Sequence, residues 1–253
     1  MINDFYQSLC FKLKLFLDVI LTNKKMKKIV FALVATSLLM TTVTQAQEEI
    51  KNNDFKRWQV RLRGIAVVPN ESANIGIIGG DVAISNAFVP ELDFTYFFTK
   101  NFAAELILGT AKHDVNTVGS DISAIGGPTS FDVDLGSVML LPPTLTAQYH
   151  FFPLKEKKFK PYVGAGINYT LFYNVKEGDV VKDVEYDNAI GFAAQIGFDV
   201  MFDDTFFVNF DVKRLFLKTD VSVNATNLAE GLIIPAQVEI NPWIIGLGFG
   251  MKF

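Results

Sequence analysis

The sequence has little cysteine, no long apolar run after its first 46 residues and no excess of positive charge. Its single cysteine is Cys10, so residues 47–253 contain no thiol for a disulfide, a nucleophile or a metal ligand. A membrane-spanning helix needs roughly 20 apolar residues in a row, and no later segment approaches that length. Half of the residues are nevertheless apolar. The apolar residues must therefore be spread along strands.

Residues 26–46 have the three parts of a secretory signal peptide. Lys27 and Lys28 form a basic start, residues 29–40 form a short apolar core, and Ala46 offers a small residue before the cut. We therefore predict that the mature protein begins at Gln47, which N-terminal sequencing of the exported protein would check. We interpret residues 1–25 as an upstream extension from a misplaced start codon. The alternative is an unusually long basic region, which leaves the mature protein unchanged.

The mature chain, residues 47–253, is acidic. The whole sequence carries a net charge of −4, and removal of the leader takes away six lysines and two aspartates, which lowers the net charge to −8. An acidic exported chain is a poor candidate for binding nucleic acid. Its length of about 207 residues suits a single domain.

Apolar and polar residues alternate with a period of two in eight segments of the mature chain. In the last one, Trp243, Leu247 and Phe253 share one face, while Gly246 and Lys252 lie on the other. The eight segments are 57–68, 88–98, 102–111, 138–152, 162–173, 189–202, 206–217 and 243–253. We predict one β-strand for each segment.

The connections between these segments are alternately short and long. This arrangement is typical of an all-β, eight-stranded antiparallel up-and-down transmembrane β-barrel with short periplasmic turns and longer outer loops. A soluble lipocalin-like barrel is the alternative, but its outward residues would be polar, and here the outward parity is apolar. Phe253 ends the closing strand, and we expect it to serve as the assembly signal for the barrel-assembly machinery. The expected location is the cell outer membrane.

The inward parity carries charged residues at similar heights above the periplasmic ends. An eight-stranded barrel is only wide enough for its interior side chains to meet, and unpaired charges there would be very costly. We therefore predict a paired lumen plug and assign it packing rather than ion conduction or catalysis. Its residues are Arg61, Arg63, Glu91, Asp93, Glu105, Asp211 and Lys213. Inward Gly246, Gly248 and Gly250 are expected to leave space for the two arginines.

Above the predicted plug, the inward parity becomes apolar. A lumen that is open outside, apolar at its walls and closed below can admit an apolar solute but cannot pass it through. Pro142 and Pro143 donate no ladder hydrogen bonds and mark a possible lateral exit. The alternative is a frayed strand end with apolar residues that only pack on loops. The ligand path predicted here comprises Ile65, Val67, Val89, Leu141, Phe172, Leu215 and Leu217.

Catalytic and metal-binding signals are weak. His113 is predicted to lie in a loop and His150 at the periplasmic end of a strand, too far apart to share a site. The second long loop contains four aspartates without the spacing of a calcium-binding loop, so a solvated loop is favoured over a cation site. Those aspartates are Asp114, Asp121, Asp132 and Asp134. We predict no enzyme activity, no cofactor and no metal.

Four runs in order resemble the OmpW family, including its alkane-uptake members. They are residues 58–69 (WQVRLRGIAVVP), 142–152 (PPTLTAQYHFF), 160–172 (KPYVGAGINYTLF) and the terminal Phe253. The resemblance spans the mature domain but not residues 70–87 and 113–137. It implies an eight-stranded outer-membrane barrel with a narrow apolar channel, which takes up small hydrophobic molecules and releases them sideways into the membrane.

Three classes of function follow from the sequence. The first is uptake of small hydrophobic solutes, with outer-membrane lipid as the surroundings and a monomer as the expected assembly. The second is a structural or adhesive barrel without transport, which needs only the barrel itself. The third is an outer-membrane acyltransferase or protease, which needs a loop-borne triad that the sequence does not display.

Overall fold

The computed structural model describes residues 55–123, 126–151, 158–227 and 229–253. The predicted extension, signal peptide and cleavage site lie outside these ranges. No helix within them is long and apolar enough to cross a membrane. The strands are β1 (Trp58–Val68), β2 (Ser72–Ile75), β3 (Asp81–Ile84), β4 (Ala87–Phe97), β5 (Phe102–Gly109), β6 (Ala111–Val118), β7 (Asp134–Leu141), β8 (Thr144–His150), β9 (Phe159–Glu177), β10 (Asp183–Tyr186), β11 (Ala189–Met201), β12 (Phe206–Phe216), β13 (Lys218–Asn224), β14 (Ile233–Glu239) and β15 (Trp243–Lys252).

Eight of these strands form a closed antiparallel barrel. Their order around the wall is β1, β4, β5, β8, β9, β11, β12 and β15, and β15 pairs with β1 to complete the circle. Closure leaves no free sheet edge, as a barrel in lipid requires. The predicted eight-stranded up-and-down barrel is therefore confirmed, and the strand limits agree with the alternating segments to within a few residues, except at two places.

Two predicted strands are interrupted, and the long connections are not irregular loops. The segment 102–111 continues past Thr110 as β6, and the segment 138–152 is divided at Pro142 and Pro143 into β7 and β8. Seven strands lie above the eight spanning strands, mostly in regions that the sequence assigned to loops, although β6 begins and β7 ends inside predicted strands: β2, β3, β6, β7, β10, β13 and β14. The loop prediction was wrong there because the alternation continues beyond the membrane with shorter residues, as in β13, where Thr219, Val221 and Val223 are buried.

The outer face of the barrel is apolar. Leu62, Ile196 and Phe249 are at least 60% exposed on outward positions, where lipid would cover them. This surface agrees with an outer-membrane barrel and disagrees with the lipocalin-like alternative. Aromatic side chains gather near the periplasmic strand ends, where Trp58 contacts Tyr96 and Tyr149 contacts Phe151, as expected of an interfacial belt.

Candidate functional site

The lower lumen is filled by a network of ion pairs around Arg61. Its side chain is fully buried, its Nε donates to Asp93 at 2.6 Å, and its Nη2 donates to Thr95 at 3.0 Å and to Glu105. Asp199 lies 3.7 Å from its Nη1. One guanidinium thus joins β1 to three other strands across the lumen, and its planar set of donors suits this bridging role.

Arg63 and Lys213 extend the network upward. Arg63 Nη2 lies 2.9 Å from both Glu91 and Asp93, and Lys213 Nζ donates to Glu91 at 2.7 Å. Asp211 lies within 3.7 Å of both cations. All seven predicted plug residues are therefore buried in one connected layer, with the pairing of charges that the sequence led us to expect.

Glu105 connects the charged layer to neutral side chains. One of its carboxylate oxygens faces the two arginines, and the other accepts hydrogen bonds from Thr146 at 3.1 Å and from Gln148 and Gln195 at 2.6 Å each. These partners come from β8 and β11. The amides satisfy lone pairs that the arginines leave free, which a buried carboxylate requires.

The sequence reasoning missed several residues that complete this layer. Tyr162 is fully buried, donates to Asp211 at 2.8 Å and lies beneath Arg61, whose guanidinium carbon is 5.4 Å from the ring centre. Asp199 also pairs with Arg61, and Phe207 is fully buried. The available signal was an inward aromatic facing an inward glycine on the next strand, since Tyr162 pairs with Gly197 and Phe207 with Gly250.

The three inward glycines of β15 are needed for space, although not all beside arginine. A Cβ added at Gly248 would lie 2.2 Å from the carbonyl oxygen of Leu62 and 2.7 Å from Arg63. At Gly246 the nearest atom would belong to Ile65 at 3.1 Å, and at Gly250 it would belong to the Phe207 ring at 2.0 Å. Gly246 and Gly248 therefore make room near Arg63 as predicted, whereas Gly250 makes room for an aromatic ring.

An apolar cavity of about 60 Å³ lies directly on the plug. Lys213 and Glu91 form part of its floor, and its walls include Ile65, Val67 and Leu215. Val89 and Leu217 also line it, so five of the seven predicted path residues are brought together. The cavity has several times the room that one water molecule needs.

Two path residues are placed differently. Leu141 is on the outward parity and lines neither cavity, while its neighbour Leu140 is buried and lines both. Inward residues on this part of the wall are even-numbered, as Thr144 and Gln148 are. Leu140 fits this pattern and Leu141 does not, so the predicted placement of Leu141 was wrong. Phe172 lies higher, where it lines a second cavity and stacks on Tyr186.

The second cavity, of about 70 Å³, lies among the strands above the barrel. The side chains around it are almost all aliphatic, from β2, β3, β6, β7, β13 and β14, among them Val115, Val221 and Ile234. His113 lines both this upper cavity and the lower cavity. The two cavities also share Leu140 and Ile240 and are therefore adjacent, and together they are called the apolar route.

The barrel wall is interrupted at two places that have the same layout. The pairing of β5 with β8 ends at Ile107 and Thr144, and that of β6 with β7 resumes in the same register at Ala111 and Leu140. The pairing of β12 with β15 ends at Arg214 and Trp243, and that of β13 with β14 resumes in register at Lys218 and Glu239. Each interruption therefore omits three pairs, and each contains proline.

The two interruptions differ in how they are closed. The interruption that contains Pro242 is closed by three hydrogen bonds. Leu215 N–H donates to the Pro242 carbonyl at 3.1 Å, Ile240 N–H donates to the Leu217 carbonyl at 2.9 Å, and Leu217 N–H donates to the Asn241 side chain at 3.0 Å.

At the first interruption, no ladder pair joins residues 108–110 to 141–143 in the described structure. The Pro142 and Pro143 carbonyls instead accept from Asn168 and Tyr169 of β9. Among the described residues, the Thr110 hydroxyl reaches across and donates to the Leu140 carbonyl at 3.1 Å.

The histidines and loop aspartates do not form a reactive centre in the described ranges. His113 lies on β6 rather than in a loop, and His150 is buried near the periplasmic end, stacked on Tyr162. Asp121 and Asp134 each accept a backbone N–H two residues further on, and Asp132 accepts that of Gly119. No metal-binding group of three or more acidic, His or Cys side chains occurs among the described residues.

Comparisons with protein families, sequences and solved structures all match outer-membrane proteins. The model of the OmpW family matches residues 56–253. The chain is 45% identical over 197 residues to the outer-membrane protein y4mB of Sinorhizobium fredii, covering 78% of this chain and 80% of that protein. It is 31% identical to outer membrane protein W of Vibrio cholerae, over 90% of this chain and 100% of the relative. The crystal structure of OprG from Pseudomonas aeruginosa matches with a TM-score of 0.69 and 26% identity, covering 78% of this chain and 96% of that one.

Proposed function

The chain belongs to the OmpW family of outer-membrane proteins, and from this premise we propose that it takes up small hydrophobic molecules and releases them sideways into the membrane. The observation that carries the proposal is the apolar lower cavity, which lies on a closed ionic layer and beside an unpaired stretch of wall. A solute enters through the upper cavity, reaches the lower cavity and leaves between residues 108–110 and 141–143. The protein acts as a channel and catalyses no reaction.

The plug supports this route because it blocks the straight path. Arg61, Arg63 and Lys213 are held by carboxylates from β4, β5, β11 and β12. An apolar solute passing this layer would have to separate buried ion pairs, which is strongly unfavourable. A lateral exit avoids that barrier and delivers the solute into hydrocarbon.

The interruption beside the lower cavity supports the position of the exit. Gly109, Thr110 and Pro142 line the cavity and also belong to the unpaired stretch. Since proline lacks an N–H group, Pro142 and Pro143 cannot complete the ladder. The wall beside the lower cavity therefore has no ladder pair between residues 108–110 and 141–143.

A matched pair of variants tests the exit. Pro142→Ala with Pro143→Ala supplies two N–H donors that can extend the β5–β8 ladder, and we expect slower uptake of labelled octane by intact Gram-negative cells that express the variant. Pro242→Ala changes the closed interruption and is the control, with uptake expected to match the wild type at equal amounts of folded protein. Equal octane uptake by all three proteins would contradict lateral release at this position.

A structural or adhesive role is the second candidate, and it needs only the barrel and its outer strands. Cells that express the wild-type barrel and take up octane no faster than cells without it would favour this role. The apolar cavities would then serve packing alone.

We also propose that Phe253 is the signal read by the barrel-assembly machinery. Its backbone exchanges two hydrogen bonds with Trp58, at 2.9 and 3.0 Å, and its ring is exposed. Deletion of Phe253 should reduce the yield of heat-modifiable, membrane-inserted protein. A normal yield would contradict this role.

A further inference from the structure

One polar side chain on the apolar route has a hydrogen-bonding atom without a partner. His113 is only 4% exposed, and it lines both the upper and the lower cavity. Its Nδ1 lies 2.6 Å from the Ser85 carbonyl oxygen, while no described residue makes a hydrogen bond to its Nε2. The two ring nitrogens point in different directions, so Nε2 faces away from the Ser85 carbonyl, in a side chain that lines both cavities.

The contact with Ser85 fixes which nitrogen carries the hydrogen. A carbonyl oxygen can only accept, so Nδ1 is the donor, and in a neutral imidazole Nε2 is then an acceptor. Burial lowers the pKa of His113 below its ordinary value and outweighs the Ser85 carbonyl, Asp114 and Glu71, which act in the opposite direction. The ring is therefore neutral at neutral pH and presents a lone pair.

Several other polar groups along the route already have hydrogen-bond partners. Thr219 donates to the Asp187 carbonyl and Thr117 accepts from Val133 N–H in the upper cavity. In the lower cavity the hydroxyls of Thr144 and Thr170 donate to Pro142 and Asn168. His113, which lines both cavities, can therefore give a passing solute a hydrogen bond without breaking one.

We propose that His113 selects apolar solutes that carry one hydrogen-bond donor, such as long-chain alcohols. This inference rests on the proposed uptake function and names the substrate class for the same route. The hydroxyl donates to His113 Nε2 at the junction of the two cavities, and the alkyl chain occupies the lower cavity next to Leu215 and Ile65. The solute is then oriented with its apolar end toward the unpaired stretch of wall.

Two substitutions separate this role from a structural one. His113→Asn keeps a donor near the position of Nδ1 for Ser85 but removes the acceptor near Nε2. His113→Gln reaches the position of Nε2 with its amide oxygen but gives up the donor to Ser85. If His113 only holds β3 to β6, His113→Asn should keep the octanol-to-octane uptake ratio of the wild type and His113→Gln should not. If it binds the hydroxyl, the order is reversed.

The experiment measures initial uptake of labelled octane and labelled 1-octanol by intact cells that express equal amounts of folded wild type, His113→Asn or His113→Gln. We expect the octanol-to-octane ratio to fall about three- to tenfold for His113→Asn, as the loss of one hydrogen bond implies. We expect His113→Gln to keep the ratio of the wild type. The ratio is the readout because a change in the shape of the route affects uptake of both probes.

The outcomes distinguish the two proposals. Uptake of octane with the same octanol-to-octane ratio in wild type and His113→Asn would overturn the role of His113 and leave the uptake function intact. Absence of protein-dependent uptake of either probe would overturn the uptake function itself. Faster uptake of octanoate than of octanol that depends on His113 would mean that the ring is charged, and would also overturn the inference.

Discussion

The lower and upper halves of the lumen are both lined by inward side chains, but those side chains are charged below and apolar above. Below, inward positions hold Arg61, Arg63 and their carboxylates, and each charge is paired across the barrel. Above, the same parity holds Ile65, Val67 and Leu215, and the space between them is not completely filled. Ion pairs seal a lumen because separating them is costly, whereas aliphatic walls can part around an apolar solute. Under the proposed uptake function, the lower half closes the lumen and the upper half lets the solute pass.

The largest expected effect comes from breaking the lower half. Arg61→Ala leaves Asp93 and Glu105 without their main partner in a buried site, and we expect a loss of about 3–5 kcal/mol in the free energy of unfolding. Unfolding of the purified barrel in lipid vesicles with urea measures it. A loss within about 0.5 kcal/mol of zero would mean that water hydrates the layer, and the idea of a dry plug would fail.

The next effect concerns passage through the upper half. Leu215→Asp places a charge on the wall of the lower cavity, where a solute gains about 25 cal/mol for each Å² of apolar surface removed from water. Because the solute would also have to displace water from the carboxylate, we expect octane uptake to fall on the order of tenfold or more. Leu215→Met is the control and should keep uptake. Normal octane uptake by a folded Leu215→Asp variant would contradict the proposal that an apolar solute passes through the lower cavity.

Two glycines at the boundary between the halves give a smaller effect. A Cβ at Gly248 would overlap backbone atoms of Leu62 and Arg63, whereas at Gly246 it would approach only side-chain atoms, of Ile65 at 3.1 Å and of Arg63 at 3.3 Å. We expect Gly248→Ala to lower the free energy of unfolding by about 1–3 kcal/mol, and Gly246→Ala to lower it by less. The same urea unfolding compares them. An equal loss at both positions would show that the upper wall is packed as tightly as the plug.

The smallest effect is expected where an ion pair is not enclosed. Lys218 and Glu239 lie 3.6 Å apart on β13 and β14, and both side chains are about half exposed. Lys218→Ala should change the free energy of unfolding by about 0–1 kcal/mol. A loss of free energy of unfolding as large as that expected for Arg61→Ala would mean that burial does not explain the contribution of the plug ion pairs to stability.

The eight strands and the buried layer of ion pairs could be predicted because period-two alternation assigns each residue to a face. Arg61, Glu105 and Lys213 were recognised as neighbours from their heights on inward positions alone. Leu141 was misplaced because it was assigned to the inward face although it lies three positions from Thr144, which is inward. Inward residues of one strand are an even number of positions apart. The outer strands were missed because their alternation uses Thr, Val and Asn, which also occur in loops.

The sequence by itself determined the barrel, its apolar outer face and the division of the lumen into a charged and an apolar half, because these depend on which face each side chain takes. Tertiary structure alone decided the pairing of Tyr162 with Asp211 and the place of His113 between two cavities, because these depend on contacts between distant strands. It also decided that one interruption of the wall is closed by hydrogen bonds while the other is not. Both contain proline, and only the positions of the partner carbonyls and amides distinguish them.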